Sequence, residues 1–161
     1  MASKVFYLAI DPGPVTLVDT CVLLDILTDD PRWADWSAEA LAAARNVGEV
    51  AINPIVYAEV SAGFDTIEDL DAALPDNDLT RYPLPYEAGF LASRAFLRYR
   101  RRGERSLRSE PSIPGRVGGT RRSPLPDFYI GAHASVAGYR LLTRDASRYR
   151  TYFPKLDLLA P

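Results

Sequence analysis

Four carboxylates stand at the edges of apolar runs in this chain of 161 residues. Asp19 closes the run Val15-Thr16-Leu17-Val18, and Glu59 lies about a turn and a half of helix past Val50-Ala51-Ile52-Asn53. Asp127 opens the apolar segment 128–137, and two residues separate Asp145 from the pair Leu141-Leu142. A carboxylate beside a core-forming segment is costly unless it is paired, hydrogen-bonded or bound to a cation. Four of them in this setting point to one shared site and a metal ion. The chain has one histidine and one cysteine, too few for a usual zinc site. The ligands must then be oxygens, which favours Mg²⁺, with Mn²⁺ able to substitute.

The length suits a single domain with a full core. No stretch approaches the ~18 consecutive apolar residues of a membrane-spanning helix, so no membrane association is expected. The apolar start Val5–Ile10 reaches Asp11 without a convincing cleavage site, and a lone cysteine excludes an internal disulfide framework. Both features suit a cytoplasmic protein. The net charge of −2 conceals an asymmetry. Segment 94–122 carries ten arginines against Glu104 and Glu110, a balance of +8, which leaves −10 on the remainder. An acidic body with a basic arm suits a protein that handles a polyanion through bound cations.

These residues must be positioned by elements of short period. The spacing predicts a buried strand at 15–18, followed at once by a helix at Val22–Leu27. Residues 1–14 read as an N-terminal extension or an extra edge strand, with Asp11-Pro12-Gly13-Pro14 as a turn. Further helices are expected at 33–46, 55–63, 67–74, 87–101 and 127–137, with Pro54 at a favoured first helical position and Thr66 as a cap. Strands are expected at 50–53, 80–82, 140–143 and 156–159. Residues 103–124 are rich in Gly, Pro, Ser and Arg and read as a mobile, arginine-rich loop. Strands alternating with helices give an α/β fold with a mainly parallel sheet. In such sheets ligands collect beyond the carboxyl ends of the strands, where Asp19 and Asp145 fall.

Four segments resemble, in type, order and spacing, the motifs of PIN-domain proteins of the VapC type, the toxins of bacterial toxin–antitoxin pairs. They are Val18-Asp19-Thr20-Cys21-Val22-Leu23-Leu24-Asp25, Asn53-Pro54-Ile55-Val56-Tyr57-Ala58-Glu59, Leu125–Ala134 with Pro126-Asp127-Phe128 at its head, and Leu141-Leu142-Thr143-Arg144-Asp145. The resemblance spans about residues 15–160, so 15–161 is read as one PIN domain. It implies a three-layer α/β/α fold and a metal-dependent endoribonuclease with Asp19, Glu59, Asp127 and Asp145 as its acidic ligands. Thr20 and Thr143 match the small hydroxyl residues beside the family's site, and Arg144 is the nearest basic side chain for the scissile phosphate. It further implies RNA as substrate, a small antitoxin protein as partner, and a homodimer. Many relatives carry another acid a few residues past the fourth position, followed by an aromatic residue; here Arg148-Tyr149 occupies that stretch.

The residues leave other readings open. Asp19 and Asp127 are also plausible helix starts, and Asn53 could orient a ligand or cap a helix. His133 reads as a packed or surface histidine, and Cys21 as a small buried side chain. An aspartyl-nucleophile phosphatase would normally have an acid two positions after Asp19, where Cys21 stands. A nuclease acting on DNA or structured nucleic acid, or a catalytically degenerate binding module, remains as the alternative.

Overall fold

The computed structural model describes residues 13–74, 78–109 and 125–161. Five parallel strands form its sheet: β1 (Thr16–Val18), β2 (Val50–Ile52), β3 (Thr80–Arg81), β4 (Arg140–Leu142) and β5 (Leu158–Leu159), in the order β3-β2-β1-β4-β5. Seven helices among the described residues flank it in a three-layer α/β/α arrangement: α1 (Thr20–Leu27), α2 (Ala34–Val47), α3 (Pro54–Ser61), α4 (Ile67–Ala73), α5 (Tyr86–Ser109), α6 (Leu125–Ala137) and α7 (Ala146–Tyr152). None of them is long and apolar enough to cross a membrane.

β1 is central because it is the strand best able to be buried on both faces. Leu17 and Val18 are fully buried, and Leu17 sits between Ala51 of β2 and Leu141 of β4. The strand order reverses at β1, which opens a crevice between the carboxyl ends of β1 and β4. Asp19 is the residue at that crevice, its N–H bonded to the Leu142 carbonyl at 2.9 Å.

Local chemistry fixes the flanking helices. Asn53 Oδ1 accepts from the N–H groups of Ile55 and Val56, both at 3.0 Å, while Pro54 fills the first turn of α3. Thr66 caps α4 through the Asp69 N–H at 3.2 Å. An aromatic cluster joins α5, α6 and α7: Phe128 packs edge-on to Tyr152 with centroids 5.1 Å apart, and Phe96 and Tyr99 close over it. Each such pair adds about 0.5–1.5 kcal/mol beyond its buried area.

Two sequence expectations need correction. The helix expected at 87–101 continues to Ser109, so the first seven residues of the expected loop at 103–124 are helical, and positions 110–124 lie outside the described residues. Arg, Glu and Leu in 101–109 are good helix formers, and Gly103, worth about 1 kcal/mol against a helix, does not outweigh them. Helix α7 was not expected at all; seven residues give too little periodicity to register. The extension or edge strand expected for residues 1–14 falls outside the described residues up to Pro12.

Candidate active site

Asp19 occupies the N-cap position of α1, yet its side chain caps nothing. The carboxylate is 6% exposed and turns into the crevice, where Oδ2 accepts from the Thr143 hydroxyl at 2.7 Å and the Tyr149 hydroxyl at 3.0 Å. Burial pushes its pKa above the ordinary carboxylate value, against the hydrogen bonds of Thr143, Tyr149 and Cys21, which lower it. The same burial, with the Asp19 charge next to it, raises the Tyr149 phenol well above 10, so Tyr149 remains a donor. Cys21 is pushed up to about 11 by burial and by Asp19, and stays a thiol.

Thr143 connects two of the acids. Its hydroxyl donates to Asp19 and accepts from the Asp145 N–H at 3.1 Å. Asp145 is the N-cap of α7 and also makes no side-chain cap; its Oδ1 accepts from Ser147 at 2.8 Å, and the residue is exposed. Thr20, next to Asp19, donates to Glu59 Oε2 at 2.5 Å, drawing α3 against the start of α1. Asp127 lies in the first turn of α6, two residues past its start, and pairs with Arg148 of α7. One network of contacts therefore joins all four acids: Glu59 to Thr20 beside Asp19, Asp19 through Thr143 to Asp145 and through Tyr149 to α7, and α7 through Arg148 to Asp127.

The fit to a cation has two parts. The donor set is all carboxylate oxygen, the chemistry that Mg²⁺ and Mn²⁺ require. Asp19, buried and carrying a raised pKa, is a group whose charge a cation would offset. Each acid, however, is held by its own protein donor, and among the described residues no three acidic, histidine or cysteine side chains stand together closely enough to hold one ion. The Arg148 pair is the contact that binding at Asp127 must displace.

Arg144 pairs with a fifth carboxylate, that of Asp25. Its Nε lies 3.0 Å from Oδ2 of the buried Asp25, near enough for an ion pair, although the N–H is not aligned for a hydrogen bond. Asp25 also accepts from Ser37 at 2.9 Å, and the Arg144 guanidinium lies 5.7 Å from the Trp33 ring centre. Asn53 is a helix cap, with Nδ2 3.3 Å from His133 Nδ1. His133 is buried and its pKa is lowered by that burial. Sequence reasoning missed Tyr149 as a partner of Asp19 and Arg148 as a partner of Asp127. The signal was the resembled pattern itself, which has an acid where Arg148 stands and then an aromatic residue, as Tyr149 is.

The family model of the PIN domain matches residues 16–154. The chain belongs to the PIN domain family. PIN domains are nucleases. Their shared fold appears again in solved structures: VapBC2 from Rickettsia felis bound to a DNA fragment from its promoter is 18% identical, with a TM-score of 0.61 over 91% of this chain and 98% of that one. VapBC-1 from nontypeable Haemophilus influenzae is 14% identical, with a TM-score of 0.60 over 91% and 97%. A toxin–antitoxin complex from Klebsiella pneumoniae is 19% identical, with a TM-score of 0.53 over 83% and 89%. No match to the chain is found among curated proteins.

Proposed function

We propose that this PIN domain is a metal-dependent endoribonuclease acting as the toxin of a toxin–antitoxin pair. The observation that carries the reading is Asp19, a buried carboxylate at the switch point of the sheet that sits at an N-cap without capping. The toxin–antitoxin complexes among the structural neighbours support a small antitoxin protein as partner, and the family resemblance supports a homodimer in the cytoplasm.

Asp19, Glu59, Asp127 and Asp145 would hold Mg²⁺ or Mn²⁺. When bound, the ion supplies charge neutralisation at the scissile phosphate and a water made nucleophilic near neutral pH. The chain supplies position. Thr143 and Tyr149 fix the Asp19 carboxylate, and Thr20 orients Glu59. Arg144, steadied through Nε by Asp25, would be the phosphate contact. Hydrolysis in this family leaves a 5′-phosphate and a 3′-hydroxyl.

The Arg148–Asp127 pair favours one other reading, a binding module whose acids are satisfied without metal. One assay separates the two: purified protein, freed of any antitoxin, is given tRNA, rRNA fragments and single-stranded DNA with Mg²⁺, Mn²⁺ or EDTA, beside Asp19→Asn. RNA cleavage that needs metal and is lost in the variant is expected. Cleavage of DNA alone would redirect the substrate assignment, and a folded protein that neither binds metal nor cleaves would leave the binding module.

A further inference from the structure

Helix α5 carries the exposed arginines Arg94, Arg98, Arg101 and Arg102, at spacings of four, three and one. Three of these arginines line a groove of about 290 Å³ with Thr151 and Tyr152 from the end of α7. No carboxylate lines the groove, and among the described residues none of the three arginines is ion-paired. Arg98 and Arg102 are nevertheless held in place. Arg98 Nη2 donates to the Tyr152 carbonyl at 3.0 Å, and the Arg102 guanidinium lies 5.9 Å from the Tyr152 ring centre.

Capping the end of α7 explains Arg98, since a cation suits a helix C-terminus. It does not explain Arg101 and Arg102, which add like charge to the same turn of helix and, among the described residues, have no carboxylate partner. An anion from outside the chain would offset such a cluster. Its place in the fold says which one. Arg148 and Tyr152 are four residues apart on one face of α7, about 6 Å along the axis. The groove thus opens one helical turn from the Arg148–Asp127 contact, a distance comparable to the step between successive nucleotides of an extended strand. Guanidinium forks match phosphate oxygens, and the groove offers little else that would read a base edge.

We propose that the groove of Arg98, Arg101, Arg102, Thr151 and Tyr152 is a subsite for the phosphodiester backbone of a single-stranded nucleic acid, aligned with the acidic site. Only its role in guiding a substrate rests on the nuclease reading; binding does not. The subsite holds phosphates adjacent to the cleaved one and contributes affinity that is indifferent to sequence.

The test is fluorescence anisotropy of labelled single-stranded RNA oligonucleotides of several sequences, in EDTA over a range of KCl. Wild type is compared with Arg101→Gln/Arg102→Gln, which leaves the Arg98 cap intact, and thermal melts check that the variant is folded. The variant is expected to bind every sequence more weakly by a similar factor. Its slope of log affinity against log salt should be shallower by about 1.4, the value for two lost contacts on a single strand. An unchanged affinity and slope would overturn the subsite, as would the absence of any RNA binding by wild type. Equal competition by a polyglutamate chain would overturn the nucleic-acid assignment in favour of an acidic protein segment. Arginine-dependent binding without cleavage would leave the groove standing and sink the nuclease reading. Cleavage by the double variant with wild-type kcat and KM would do the reverse.

Discussion

Burial raises the Asp19 carboxyl pKa while the hydroxyls of Thr143 and Tyr149 pull it down, and burial is the larger effect. A carboxyl whose folded pKa lies above its unfolded value favours folding below the unfolded value and loses that contribution as pH rises through the folded one. The window therefore opens near the ordinary aspartate value of 3.8 and extends upward. In metal-free buffer, Asp19→Asn is expected to melt above wild type at about pH 8, by a few degrees, with the gap closing towards about pH 4. Thermal melts in EDTA across that range check it, and a gap that does not depend on pH would mean that Asp19 is not strained by burial. Arg148 offers the second test at this scale. It engages a carboxylate that the proposed metal needs, so Arg148→Gln is expected to tighten Mn²⁺ binding several-fold, as read by titration calorimetry. Looser binding would assign Arg148 to holding α6 in place instead. Much of this site was legible in the sequence, because an acid that ends an apolar run is visible in one dimension. The donors that hold each acid were not: Tyr149 is 130 positions from Asp19, and only the fold brings them together.

Helix α7 carries the consequence of that long-range contact. It places Tyr149 against Asp19 and Arg148 against Asp127, and its seat depends on Gly131 of α6. A Cβ at Gly131 would come within 2.7 Å of the Phe153 ring and 2.9 Å of the Tyr149 ring, both buried. Gly131→Ala gains helix propensity of about 1 kcal/mol, but overpacking at such a contact costs about 1–3 kcal/mol. A lower Tm is expected, with a larger fractional loss of metal affinity than of stability, because the ring that must move carries the Asp19 donor. A variant as stable as wild type would show that α7 can shift without cost. The helix and strand periods announced most elements, including α2, α3, α4 and β1. α7 escaped because Ala146–Tyr152 has the length of a turn, and α5 was cut short because glycine and arginine at 101–105 resemble the start of a loop.

Across the whole molecule, the four acids belong to four different parts of the chain: the start of α1, the body of α3, the first turn of α6 and the cap of α7. Held separately by Thr20, Thr143, Tyr149, Ser147 and Arg148, they leave these parts joined by hydrogen bonds and one ion pair. Liganding by all four would join them through a single ion, so cation binding and folding should be linked. At a Mg²⁺ concentration one hundred times its Kd, the gain is about 2.7 kcal/mol. For a domain of this size that corresponds to a rise in Tm of about 5–10 °C. Asp19→Asn is expected to lose most of the rise, since its amide offers one neutral oxygen where the ion needs charge. Hydrogen exchange distinguishes a shared site from a local one. A shared site slows exchange at the starts of α1, α6 and α7 together, whereas binding at Asp145 alone, the exposed acid, would protect only the start of α7. The second pattern would remove the physical basis for a four-acid centre even if Mg²⁺ were bound.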